Sequence, residues 1–149
     1  MTHDAAITPT RIVAAARTYL GAAFVHQGRT RAHGVDCAGL VACVAYDLGV
    51  RDVRITDYTP QPDQNRFRAI LREHLAPIAY AELEAGDVVT FTIVGREQHL
   101  GIITDAAPLR FIHAYQTAGR VVEQLLDPTW RRRLRGCYRF RLGGANGRA

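Results

Sequence analysis

With 48% hydrophobic and 22% charged residues, the 149-residue chain has the balance of an ordinary globular protein. That excludes disordered and fibrous classes and fits a single domain over 1–149 with one sizeable core. The net charge of +5 is compatible with an anionic partner, but apart from Arg131-Arg132-Arg133-Leu134-Arg135 the arginines are scattered. That run reads as a solvated face, and no specific nucleic-acid partner is expected.

No apolar run approaches the roughly 20 residues that span a bilayer, so no membrane insertion is expected. The start MTHDAAITPTRIV has no basic stretch ahead of an apolar core, so no secretory signal is expected. Thr8 and Pro9 supply a capping hydroxyl and a first-turn proline, and Ile12, Val13, Ala16 and Leu20 follow at helical spacing up to Gly21. Residues 22–36 read as a loop. A second helix begins at Cys37, with Leu40, Val41, Val44 and Leu48 three or four apart and Gly49 as its stop. The polar stretch Tyr58-Thr59-Pro60-Gln61-Pro62 reads as a loop, and Asp63 can cap a third helix running to about Leu75.

After Gly86 the pattern changes. Val88-Val89-Thr90-Phe91-Thr92-Ile93-Val94 is β-branched and aromatic. Residues 98–104, 110–116, 120–126 and 136–142 read as further strands, joined by short turns at Pro108, Gly119 and Pro128. Helices first and strands afterwards predict an α+β fold, N-terminal helices packed on a mainly antiparallel sheet of about five or six strands.

The chemistry concentrates at Gly34-Val35-Asp36-Cys37-Ala38-Gly39-Leu40-Val41, where a loop hands over to a helix with cysteine in its first turn. Unpaired N–H groups and the positive end of the helix dipole stabilise a thiolate there, so a lowered thiol pKa is expected. The same N–H groups can receive the oxyanion formed when a thiolate attacks a carbonyl. Cys43 and Cys137 lie inside a helix and a strand and read as packing residues. Three cysteines without a CxxC pair indicate neither a disulfide framework nor a zinc ribbon.

A thiol nucleophile needs a base. Of six histidines, His3 and His74 read as surface residues. His99 opens the apolar strand His99-Leu100-Gly101-Ile102-Ile103, and His113 sits inside Phe111-Ile112-His113-Ala114-Tyr115. An imidazole among such neighbours needs a hydrogen-bond partner, and two histidines on adjacent strands can supply each other while one gains a fixed tautomer.

Four blocks in order, Asp36-Cys37-Ala38-Gly39-Leu40-Val41, Gly86-Asp87-Val88-Val89-Thr90-Phe91, His99-Leu100-Gly101-Ile102-Ile103 and Phe111-Ile112-His113-Ala114, resemble the NlpC/P60 cysteine peptidases. The resemblance runs from about residue 9 to residue 142. It implies a papain-like α+β fold and cleavage of peptidoglycan stem peptides, with Cys37 as nucleophile, His99 as base and His113 as the residue orienting that base. No metal or organic cofactor is implied. Two positions depart from the family pattern: Ala38 stands where serine is usual, and Phe24-Val25-His26-Gln27-Gly28 where a Tyr-x-Trp-Gly-Gly-like loop is common. Phe24, His26 and Gln27 are therefore candidate substrate-binding residues, with His26 or Gln27 taking over a donor role. Asp36 can bind a substrate ammonium or cap its helix.

The His26-Gln27-Gly28 loop and the segment Ala114–Glu123 resemble the bacteriophage-tail and gene-transfer-agent branch of that family. The resemblance implies tail proteins as partners, synthesis in the cytoplasm, and action on the periplasmic cell wall as part of a virion or tail. Three alternatives stand beside it: a tail scaffold that has lost hydrolysis, a zinc site made of Cys37, His99 and His113, and acyl transfer involving lipid, whose relatives carry the histidine block before the cysteine block.

Overall fold

Thr8 accepts a hydrogen bond from the Arg11 N–H through its side chain, and Pro9 occupies the first helical position, so α1 starts where the sequence places it, at Pro9–Arg17. Its buried residues are Ile12, Val13 and Ala16. The expected extension to Leu20 instead forms a turn, closed by Gly21 at φ +87°. The computed structural model describes residues 7–50 and 64–141, with the side chains of Gln64 and Arg66 left aside. The Tyr58–Pro62 stretch, the Asp63 cap and His3 lie outside the described residues.

After α1 come the two-residue strands β1 (Arg29–Thr30) and β2 (Gly34–Val35), then α2 (Cys37–Asp47) and α3 (Gln64–His74). The strands β3 (Leu75–Pro77), β4 (Val88–Ile93), β5 (Arg96–Ala106), β6 (Leu109–Tyr115) and β7 (Arg120–Leu125) follow, then α4 (Pro128–Arg133) and β8 (Leu134–Phe140). The main sheet has the order β3-β8-β4-β5-β6-β7, and each of its neighbouring pairs is antiparallel. This is the expected α+β architecture.

Three local expectations are corrected. Residues 22–36 are more than a loop, because β1 and β2 pair within them. Leu75 opens an edge strand, pairing with Phe140, rather than ending a helix. The turn expected at Pro128 is the start of α4: the Asp127 side chain accepts from the Trp130 N–H, and Pro128 stands at the first position, the same device that starts α1.

Strand alternation divides the core between the two faces of the sheet. On one face Leu40, Val41 and Val44 of α2 pack with Val88, Leu100, Ile102, Ile112, Ala114 and Val121. On the other, Val89, Phe91, Ile103, Phe111, Leu126 and Trp130 form a second cluster, more aromatic than the first. The sheet therefore holds α2 on one side and α4 on the other, with β5 and β6 between them.

Candidate active site

Cys37 is the first residue of α2, and Asp36 is its N-cap. Asp36 Oδ1 accepts from the Gly39 N–H at 2.7 Å and Oδ2 from the Gln27 N–H at 2.6 Å. The Arg29 guanidinium lies 3.4 Å from Oδ1 and the His26 ring 3.8 Å from Oδ2. Only 3% of Asp36 is exposed. One carboxylate thus caps the helix and binds the preceding loop to it. Close approach explains the adjacent glycine: a Cβ at Gly39 would lie 2.1 Å from the Gly28 carbonyl oxygen, so only glycine lets the loop reach the helix.

The sulfur of Cys37 lies over an open edge of β5. There the thiol faces the Gln98 carbonyl oxygen at 3.7 Å, and the N–H groups of Leu100, Ala38 and Cys37 itself point to the sulfur. The edge is open because the β5–β6 pairing begins at Ile102↔Ile112. On the β4 side the register shifts between Phe91↔His99 and Thr92↔Glu97, so Gln98 is a one-residue bulge. That bulge separates the two directions of β5: Glu97 turns to the Arg68 guanidinium at 2.5 Å and to the Thr90 hydroxyl, while His99 joins the aromatic side. The side-chain Oε1 of Gln98 is buried and has no partner among the described residues.

His99 and His113 meet directly. His99 Nε2 and His113 Nδ1 are 2.7 Å apart, and the far nitrogen of His113, Nε2, lies 2.8 Å from Gln124 Oε1 on β7. Both imidazoles are buried, His99 at 7% exposure and His113 at 0%. Rings enclose them: Tyr115 stacks on His113 with centroids 5.0 Å apart, Trp130 presents its edge at 5.0 Å, and Phe111 lies at 4.4 Å. Trp130 also lies 5.8 Å from His99, and the Arg133 guanidinium lies over the Trp130 ring, 4.7 Å from its centroid. Among the described residues no group of three or more His, Cys, Asp or Glu side chains could hold a metal.

Burial depresses the basicity of both rings. His99 falls well below 6.5, through burial first, then the neighbouring His113 and the Arg133 charge. His113 falls to about 4 through burial, partly offset by its bond to Gln124. The thiol moves against expectation. Burial, with the Asp36 charge next, pushes Cys37 up to about 12, and the three N–H groups offset only part of that. A helix N-terminus alone favours a thiolate, but here a buried carboxylate occupies the cap. Each of these shifts favours the uncharged form, a thiol beside neutral imidazoles.

The remaining candidates fall into place as follows. His26 and Gln27 are exposed and adjoin Asp36, which brings them to the start of α2. Phe24 is partly buried and packs against the α2-side core. Cys43 is buried, its thiol donating to the Arg29 carbonyl at 3.0 Å, and Cys137 is buried in the aromatic cluster. Reading the sequence missed Gln98, Gln124 and Trp130. Trp130 carried a legible signal, the Asp-Pro cap in front of it. The two glutamines carried none, since a polar residue in a short strand looks solvent-facing. Arg131 lies over Tyr80 at 4.0 Å, so the basic run is partly spread on aromatic rings rather than wholly in water.

The NlpC/P60 family model matches residues 21–139. The chain belongs to the NlpC/P60 family. Among curated proteins it is similar to the gamma-DL-glutamyl hydrolase of Bacillus subtilis, with 29% identity over 140 residues covering 92% of this chain. The chain spans 30% of that relative's length. Among solved structures, the NlpC/p60 domain of the peptidoglycan hydrolase SagA aligns with a TM-score of 0.67 and 21% identity, covering 89% of this chain and 98% of that one. An NlpC/P60 family protein from Bacillus cereus aligns at 0.68 and 17%, covering 91% and 41%. These likenesses establish the NlpC/P60 fold. Among the described residues no helix is long and apolar enough to cross a membrane.

Proposed function

We propose that this NlpC/P60 chain is a cysteine peptidase that hydrolyses amide bonds of peptidoglycan stem peptides, with Cys37 as nucleophile, His99 as base and His113 as its positioning partner. The observation that carries the reading is the His99 Nε2···His113 Nδ1 contact of 2.7 Å beside a helix whose first residue is Cys37. A scaffold gains nothing from burying two imidazoles, each of which costs stability unless hydrogen-bonded. With Nε2 of His99 engaged, Nδ1 is the nitrogen that can take the thiol proton.

Sulfur then attacks the carbonyl carbon, and the new oxyanion is received by the Cys37 N–H at the helix start together with a second donor, for which His26 and Gln27 are the candidates. Collapse expels the amine, which takes the proton back from His99 Nδ1, and leaves a thioester on Cys37. Water delivers a hydroxyl to the thioester carbon as its proton passes to His99. The acid product departs, and the proton returns to sulfur. Because thiol and imidazoles rest neutral, proton transfer accompanies attack rather than preceding it. Asp36, with both oxygens engaged inside the protein, acts on this reading through the helix start; a substrate ammonium would have to displace Arg29 or His26.

The test is digestion of purified peptidoglycan by the wild-type protein beside Cys37→Ala, with products resolved by mass spectrometry. Stem-peptide fragments from the wild type alone support the peptidase; no fragments from either shift the reading to a scaffold. The likeness to gamma-DL-glutamyl hydrolase favours a γ-DL-glutamyl bond as the one cleaved, and a γ-DL-glutamyl peptide belongs in the same assay. The tail-associated setting rests on the resemblance of His26-Gln27-Gly28 and Ala114–Glu123 to the phage-tail branch, and is tested by co-purification with assembled tails.

A further inference from the structure

We propose that Gln124 is a positioning residue that sets the tautomers of both buried imidazoles, so that His99 presents a lone pair rather than a proton at Nδ1; this rests on the peptidase reading for its consequence, though not for its geometry. Gln124 Oε1 lies 2.8 Å from His113 Nε2. With the amide turned so that its oxygen faces the ring, Gln124 accepts and His113 Nε2 carries the hydrogen. A neutral imidazole has one N–H, which leaves His113 Nδ1 as an acceptor. Across the 2.7 Å contact, His99 Nε2 must then be the donor, and His99 Nδ1 is left with its lone pair.

The pair of histidines cannot make this choice alone. Between two neutral imidazoles one hydrogen bond forms whichever ring donates, and the two directions differ only in what happens at the outer nitrogens. At the His113 end the surroundings are Phe111, Tyr115 and Trp130. Phenylalanine offers neither donor nor acceptor, and the indole N–H cannot accept. Gln124 is the partner of His113 Nε2, and it stands opposite Phe111 in the β6–β7 register, which turns it to the same aromatic face. With the neighbouring Glu123 paired instead to Arg17 and Arg110, strand alternation makes one residue of the dipeptide an outer ion-pair member and the other the end of the relay. Were a donor to replace the oxygen, every proton in the chain would reverse. His113 would carry its hydrogen on Nδ1, His99 Nε2 would accept, and His99 Nδ1 would carry a hydrogen, leaving no lone pair to take the thiol proton.

The test reads ring-nitrogen protonation in the full chain by long-range proton–nitrogen NMR at pH 7, with kinetics alongside. In the wild type both histidines are expected as neutral Nε2–H tautomers. Gln124→Lys, whose ammonium only donates, is expected to move both to Nδ1–H. Gln124→Leu, which offers nothing, is expected to give a mixture, with kcat lowered about tenfold, the worth of about one hydrogen bond, and KM within about twofold. The partly exposed position suits lysine, so the reversal can be read even where leucine fails to fold. A wild-type His99 bearing its hydrogen on Nδ1, or tautomers unmoved in Gln124→Lys, overturns the inference. Wild-type protein that turns over no substrate while the tautomers reverse sinks the peptidase reading and leaves this one standing.

Discussion

The two faces of the central sheet solve different problems. Against α2 the sheet presents aliphatic side chains, Val88, Leu100, Ile102, Ile112 and Val121, and the polar group of Thr90, Glu97 and Arg68 gathers around β4, β5 and α3. Toward α4 it presents Phe91 and Phe111, which together with Trp130 of α4 surround His99 and His113. Aliphatic packing fills volume but does not fix the plane of a ring. Flat neighbours do, through stacked and edge-on contacts worth about 0.5–1.5 kcal/mol each. The contrast teaches that burial on one face holds the fold together, while burial on the other orients two imidazoles and keeps them uncharged. Cys37, at the start of α2 with its sulfur over an open edge of β5, is where the two meet.

The largest expected effect comes from truncating each face. Ile102→Ala, on the aliphatic side, should cost about 2–5 kcal/mol by denaturant unfolding and leave turnover per folded molecule unchanged. Phe111→Leu should cost less stability and lower kcat several-fold, because His113 loses the ring 4.4 Å away. Equal losses of both quantities in both variants would dissolve the distinction.

Acid should act through the aromatic face. His113 is pushed from 6.5 to about 4 when folded, so below pH 6.5 the unfolded chain takes up a proton that the folded one refuses. Stability is fully present above 6.5 and declines as pH falls, by about 3 kcal/mol at pH 4 from this residue alone. His99 adds in the same direction. Urea unfolding from pH 7 to 4 measures the slope, and in His113→Gln the slope should be shallower; an unchanged slope would contradict the buried neutral imidazole.

At the edge between the faces, Cys37 should react with iodoacetamide at pH 7 at least about tenfold more slowly than free cysteine, since its thiol is pushed up to about 12. A faster rate than free cysteine would mean that the helix N-terminus prevails over burial and Asp36. The smallest effect belongs to Glu123→Gln. It breaks an ion pair with the half-exposed Arg17, worth under about 1 kcal/mol, and should leave turnover untouched, whereas Gln124→Leu next to it should not. Loss of turnover in Glu123→Gln would tie β7 to activity through general packing rather than through the relay.

Much of this was legible along the chain. Capping residues and helical spacing located α1 and α2, a β-branched and aromatic run located β4, short turns delimited β5 to β8, and four short blocks carried the family resemblance. The helix at Pro128 was missed although Asp127-Pro128 repeats the Thr8-Pro9 device; six residues offer too little periodicity to register. Edge strand β3 and the pair β1–β2 were missed because strands of two or three residues exist only through their partners. Asp36 could be read as a helix cap, but not as the tether of the Gln27 and Arg29 loop, which depends on groups nine and seven residues away folding back onto it.

What the sequence determined by itself was local: which residues start helices, which segments run as strands, and that a cysteine opens α2 with two histidines on later strands. Those outcomes follow from short-range hydrogen bonding and from periods of 3.6 and 2, which the chain carries in its order. Only the tertiary structure decided that His99 meets His113, that Gln124 stands behind them, and that the thiol rests protonated. Register between strands sets the first two. The third is a sum of burial, a neighbouring carboxylate and converging N–H groups, and such a sum exists only once distant segments share one place.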